Sequence, residues 1–120
     1  MPRDPYKLEA FLAADALVVE VYKASRAFPS EERYGLQSQI RRAAVSVAAN
    51  LVEGCARPSQ REYLHFVSIA IASASELRYL LELSVRLELI AAETVADLSR
   101  GYGGVIRRLQ ALRTSLTASA

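Results

Sequence analysis

The chain has 120 residues, 52% of them hydrophobic, and 15 Lys+Arg against 13 Asp+Glu give a net charge of only +2. One Cys and one His exclude an internal disulfide and a zinc site built on those residue types. Five Gly and four Pro are too few for a loop-rich all-β protein, whereas 20 Ala and 16 Leu favour helix. The apolar share exceeds the usual ~45–50% even with glycine left out, so the chain is too apolar to be disordered. The fold has to account for that excess.

The length suits one domain over residues 1–120. Hydrophobic periodicity and sparse Gly/Pro punctuation divide it into four predicted helices, at about 6–27, 36–56, 59–88 and 92–116. In the first, Ala10, Ala14, Leu17, Val21, Ala24 and Phe28 step by alternating fours and threes. A second stripe holds Leu8, Leu12, Val19 and Tyr22, with Asp15 in its middle. Pro29 closes the helix, because proline disfavours α geometry in the residue before it.

The second helix shows Leu36, Ile40, Ala44, Val47, Leu51 and Cys55 on one face, and Val45, Ala49, Val52 and Ala56 on another. Gly54 near its end suits a left-handed terminating residue. The third helix starts with a capping box, Ser59-Gln60-Arg61-Glu62, in which the serine accepts from the Glu62 amide and Glu62 reaches back. Its main seam is Tyr63, Val67, Ala70, Ala74, Leu77, Leu81 and Ser84. A second seam holds His65, Ile69, Ala72, Glu76, Tyr79 and Leu83. The fourth helix has a single seam, Val95, Leu98, Tyr102, Val105, Leu109, Leu112 and Leu116. Gly103-Gly104 in its middle marks a bend or a close helix contact.

Four helices with short links predict an all-α, up-down-up-down antiparallel four-helix bundle. Such a bundle needs one apolar stripe per helix, yet the first three helices carry two. A wide core is one explanation. The other is a subunit interface, with His65, Ile69, Ala72, Glu76, Tyr79, Leu83, Val45, Ala49 and Val52 as its candidates, since soluble monomers rarely expose large apolar patches.

Candidate chemistry is sparse. Glu62-Tyr63-Leu64-His65 has the E-x-x-H spacing of di-iron bundles, but a single histidine cannot complete such a site within one chain. Ser46, Asn50 and Glu53 read as a structural polar network, with Glu53 free to pair with Arg41, Arg42 or Arg57. Cys55 has no activating neighbour in sequence and reads as a buried, inert thiol. No metal, cofactor or small-molecule substrate is implied, and the expectation is a protein that is not an enzyme.

Thirteen of the 15 basic residues are arginine, the residue suited to bidentate phosphate contacts. Arg33, Arg41, Arg42, Arg57 and Arg61 gather around the ends of the second helix. From Leu98 onward, Arg100, Arg107, Arg108 and Arg113 occur with no acid among them. Repeated around an oligomer, such patches would favour a phosphate backbone in a salt-dependent way. Arg41, Arg42, Arg57, Arg61, Arg107 and Arg108 are the candidate contacts to RNA or DNA. A solvated helix face with local salt bridges is the alternative. No secretory leader and no run of about 18 uninterrupted apolar residues is read, so a cytoplasmic protein outside the membrane is expected.

The residues Phe28-Pro29-Ser30-Glu31-Glu32-Arg33-Tyr34-Gly35-Leu36, Gln39-Ile40-Arg41-Arg42-Ala43, Ser46-Val47 and Asn50-Leu51-Val52-Glu53-Gly54 carry a resemblance. With Arg57, Ser59, Glu62-Tyr63, Phe66, Ala70, Ser73 and Ser75-Glu76-Leu77, they resemble the small bacterial proteins encoded in intervening sequences of 23S ribosomal RNA genes. The resemblance implies a four-helix bundle that assembles as a homopentameric ring, without an established enzymatic activity. Accessory proteins of diversity-generating retroelements, which bind nucleic acid and a reverse transcriptase, look like distant relatives. Two positions depart from the family pattern: Ala48 stands where proline is usual, and Ala13 where tryptophan is common.

Overall fold

The computed structural model describes residues 2–118, and among these the regular structure is entirely helical. The four α-helices are α1 (Glu9–Ser25), α2 (Leu36–Cys55), α3 (Gln60–Arg86) and α4 (Ala92–Ala118).

α1 is shorter than expected at both ends, for identifiable reasons. Asp4 Oδ1 accepts from the Tyr6 amide at 3.0 Å and caps a single 3₁₀ turn over Pro5–Lys7. Leu8 is then extended, so α-geometry begins only at Glu9. At the other end, side chains of α2 take the exposed polar groups that end a helix. Arg41 donates from Nη2 to the Tyr22 carbonyl (3.1 Å) and from Nε to Ser25 Oγ (2.9 Å). Gln37 Nε2 donates to the Ser25 carbonyl at 2.8 Å. With those groups satisfied, the chain leaves the helix before Phe28 and Pro29, and Phe28 still folds back into the core. Glu32 caps the next helix: its Oε1 accepts from the Leu36 amide at 3.0 Å.

Gly54 does not terminate α2 in a left-handed conformation. It lies inside the helix, and no described glycine has positive φ. Its role is close approach. A Cβ at position 54 would stand 2.9 Å from Phe66 Cβ and 3.4 Å from the Tyr63 carbonyl oxygen of α3. The capping box forms with one change. Ser59 Oγ accepts from the Glu62 amide (3.1 Å), while Glu62 Oε2 accepts from the Ser59 hydroxyl (2.8 Å) rather than from its backbone.

α3 ends in a Schellman motif. The Leu89 amide donates to the Ser84 carbonyl and the Glu88 amide to the Val85 carbonyl, both at 2.9 Å. Glu88 holds the left-handed position at φ 62°, the one described non-glycine residue to do so. An L-residue with a Cβ pays about 1–2 kcal/mol for that conformation. Glu88→Gly is therefore expected to raise stability by about 1 kcal/mol, measured as the urea midpoint at fixed protein concentration. An unchanged or lower midpoint would contradict the strain.

Neighbouring helices run antiparallel. The Arg3 amide donates to the Cys55 carbonyl at 2.7 Å, which sets the entry to α1 beside the end of α2. Gln60 Nε2 donates to the Leu116 carbonyl at 3.2 Å, which sets the start of α3 beside the end of α4. α1 touches α2 and α4, α3 touches α2 and α4, and the diagonal pairs do not meet. The result is a square bundle 47 × 21 × 19 Å in extent.

The main seams fill its centre. All seven positions from Tyr63 to Ser84 on α3 are buried, as are Ile40, Ala44, Val47, Leu51 and Cys55 on α2. Val95, Leu98, Tyr102, Val105 and Leu109 close the core from α4. α3 is long and apolar enough to cross a membrane by length and composition, but this face of it is packed against the other helices.

Tyr102 is fully buried, and its hydroxyl has no hydrogen-bond partner among the described residues. Burial pushes its pKa up strongly. An unpaired buried hydroxyl costs stability, while the ring itself fills space. Tyr102→Phe keeps the ring and is expected to raise stability by about 1 kcal/mol. A comparable loss on calorimetric melting would reveal a partner for the hydroxyl.

Candidate nucleic-acid interface

The arginines expected to form one cluster around α2 occupy two separate sites. At the N-terminal end of α2, Arg33, Arg41 and Arg42 line a surface groove of about 820 Å³ together with Tyr22 and Tyr34. Beyond the C-terminal end, Arg57 and Arg61 line a second groove of about 570 Å³ with Glu62, His65 and Phe66. The helix between them keeps the two apart.

Their arginines differ in availability. Arg41 is committed to the end of α1, and its guanidinium lies 4.5 Å over the Tyr22 ring. It therefore holds the helix pair and the tyrosine in place. Arg42 and Arg33 are exposed, with no acid within ion-pair distance among the described residues. Tyr34 is 89% exposed beside them, a ring open for stacking. Sequence reasoning missed both tyrosines, although Arg33-Tyr34 are adjacent in the chain.

Arg57 pairs with Glu53 at 2.8 Å and lies 4.9 Å over the Phe66 ring. Arg61 is exposed, with no acid within ion-pair distance among the described residues. His65 is exposed and meets Phe66 edge-on at 5.3 Å. No group of three or more His, Cys, Asp or Glu side chains comes together among the described residues, and Glu62 is held by Ser59.

On α4, Arg107 and Arg108 are exposed. Arg108 approaches Glu9 at 4.0 Å, a marginal contact with both side chains in solvent. Arg107 has no carboxylate within ion-pair distance among the described residues. The remaining described ion pairs are Lys23–Glu20 and Arg100–Asp97, both local surface contacts.

The network expected over Ser46, Asn50 and Glu53 divides in two. Asn50 Nδ2 donates to the Ser46 carbonyl (2.8 Å) and to Ser46 Oγ (3.0 Å), and Ser46 Oγ meets Ser73 Oγ of α3 at 2.8 Å. This links α2 to α3. Glu53 stands outside that link, because it faces solvent and its nearest cation is one turn on, at Arg57.

The second seams lie on the surface of the single chain. Val45, Ala49, Val52, His65, Ala72, Glu76 and Tyr79 are exposed, and Ile69 and Leu83 are half-buried. Leu12 and Val19 on α1 are exposed apolar residues as well. Cys55 is buried beneath the N-terminal segment, and burial pushes its thiol up, with Arg3 opposing. That leaves it a poor nucleophile.

The sequence profile of the 23S rRNA-intervening sequence proteins matches residues 6–111. No curated protein matches the chain. Among solved structures, it is similar to a crystal structure from Bacteroides thetaiotaomicron, described as a protein of unknown function from the S23 ribosomal protein family. The two share 22% identity and superpose with a TM-score of 0.81, over 88% of this chain and 95% of that one. The likeness is one of fold, and the profile match spans most of the sequence: the chain belongs to the 23S rRNA-intervening sequence protein family.

Proposed function

We propose that this protein is a cytoplasmic, non-enzymatic homopentameric ring that binds RNA or DNA through arginine patches repeated around the assembly. The ring reading rests on two unlike apolar faces, one across α1 and α2 and one on the outside of α3. A contact between unlike faces is head-to-tail, and it makes a ring where the rotation between successive copies closes.

The observation that carries nucleic-acid binding is the state of the arginines. Arg33, Arg42, Arg61, Arg78 and Arg107 are exposed, and no described carboxylate comes within 4.0 Å of any of them. Surface cations left without acids are what counterion release requires. The exposed ring of Tyr34 stands beside the first of these patches and supplies a stacking surface. A second reading, a protein-interaction scaffold, draws on the same exposed apolar faces and on the occupied Arg41 and Arg57.

Filter binding to generic single-stranded RNA at two salt concentrations separates the two. Retention at about 50 mM salt that falls steeply by about 200 mM is expected. No retention at the lower concentration would sink the nucleic-acid reading and leave the scaffold.

A further inference from the structure

The two glycines of α4 lie beneath a row of guanidinium groups. A Cβ at position 103 would stand 3.4 Å from Arg107 Nη1 and 3.5 Å from Arg78 Nη1. A Cβ at position 104 would stand 3.6 Å from Arg108 Nη1 and 3.8 Å from Arg107 Nη2. Arg107 thus spans both glycines, with Arg78 of α3 on one side and Arg108 on the other. Neither Arg78 nor Arg107 has a carboxylate within ion-pair distance among the described residues.

Both guanidinium groups flank the same point of α4, so their like charges repel. Each of these side chains is long, exposed and free to point elsewhere. An oxyanion between them turns the repulsion into charge-assisted hydrogen bonds, for which paired planar guanidinium groups are the best donors. A methyl group at 103 would meet both guanidinium groups at ordinary contact distance, so the glycine gives them room without being required. The neighbouring groove, about 500 Å³, offers the Ser99 side chain, with Glu82 as its one carboxylate; the Ser75 hydroxyl donates to the Ile71 carbonyl at 3.0 Å.

We propose that Arg78 and Arg107, flanked by Arg108 over Gly103-Gly104, form a phosphate-binding site. The site deepens the nucleic-acid reading above by naming where one phosphate sits. The same chemistry would also take a free phosphate.

Calorimetric titration of the full chain with inorganic phosphate at low ionic strength tests the site. Arg78→Gln and Arg107→Gln are each expected to weaken binding at least tenfold, the loss of one charge-assisted contact. Arg86→Gln, an exposed arginine further along α3, is expected to leave it unchanged. No phosphate binding, or equal losses for Arg78, Arg107 and Arg86, would overturn the site.

Titration with an oligouridylate then identifies the source. RNA binding weakened by Arg78→Gln and Arg107→Gln supports a polynucleotide phosphate. RNA binding indifferent to both overturns the placing of a polynucleotide phosphate there, while the nucleic-acid reading stands. Phosphate binding without RNA binding keeps the site and removes that reading.

Discussion

Gly54→Val is expected to destabilise the protein by about 3 kcal/mol, and Gly54→Ala by less. Even the first carbon of a side chain at 54 would stand 2.9 Å from Phe66 Cβ, an atom fixed to the backbone of α3. It cannot swing away as a side-chain tip would, so α2 and α3 must separate. The valine adds two methyl groups to that clash. Alanine recovers about 1 kcal/mol of helix propensity relative to glycine, which offsets part of its loss. Urea unfolding followed by circular dichroism at one protein concentration gives the order wild type, then Ala, then Val. A Gly54→Ala variant more stable than its parent would show that the helices are not in contact there.

Val52→Glu is expected to convert the assembly to monomers without loss of helix content. Val52 is exposed in the single chain and lies on the same outer face of α2 as Val45 and Ala49. If that face is covered by the next copy, a carboxylate placed there is stripped of water without a partner, a cost of several kcal/mol at each contact. If the face is open, the charge is solvated and nothing changes. Tyr79→Glu, on the outside of α3, tests the opposite face in the same way. Native mass spectrometry at micromolar concentration reads both variants. Five copies of the chain are expected for the parent and one for each variant. A monomeric parent would contradict the ring, and a pentameric Val52→Glu would clear α2 from the interface.

The core was legible because its signal is repetitive. The seam from Tyr63 to Ser84 steps regularly along a helix with no proline or glycine to disturb it, and every member is buried. The end of α1 was not legible, because the groups that stop it, Gln37 and Arg41, come from the following helix. Gly54 suggested a helix terminator because of its place near the end of the pattern. Its actual work depends on where Phe66 passes, which periodicity does not report. Glu88 shows the converse: a left-handed position filled by a residue that gives no sequence sign of it.

For the candidate interface, the residue types were readable and their grouping was not. Arg41 looked equivalent to Arg42, yet one turns to the neighbouring helix and the other to solvent. Arg78 falls between the two apolar seams of α3, so no pattern singled it out. Only the fold brings it to Arg107. The one sequence sign was the glycine pair inside an otherwise continuous helix.

The square arrangement, in which each helix meets only its two neighbours, also bears on how the chain folds. Three of its four sides join helices that follow one another directly, so those contacts close short loops and form early. The α1–α2 hairpin carries its own latch, since Arg41 and Gln37 clasp the end of α1 before α3 is needed. The fourth side, where α1 meets α4, alone has to bring the two ends of the sequence together. Closing α1 against α4 is thus the step with the largest loop-closure cost, and the one that completes the core around Tyr102.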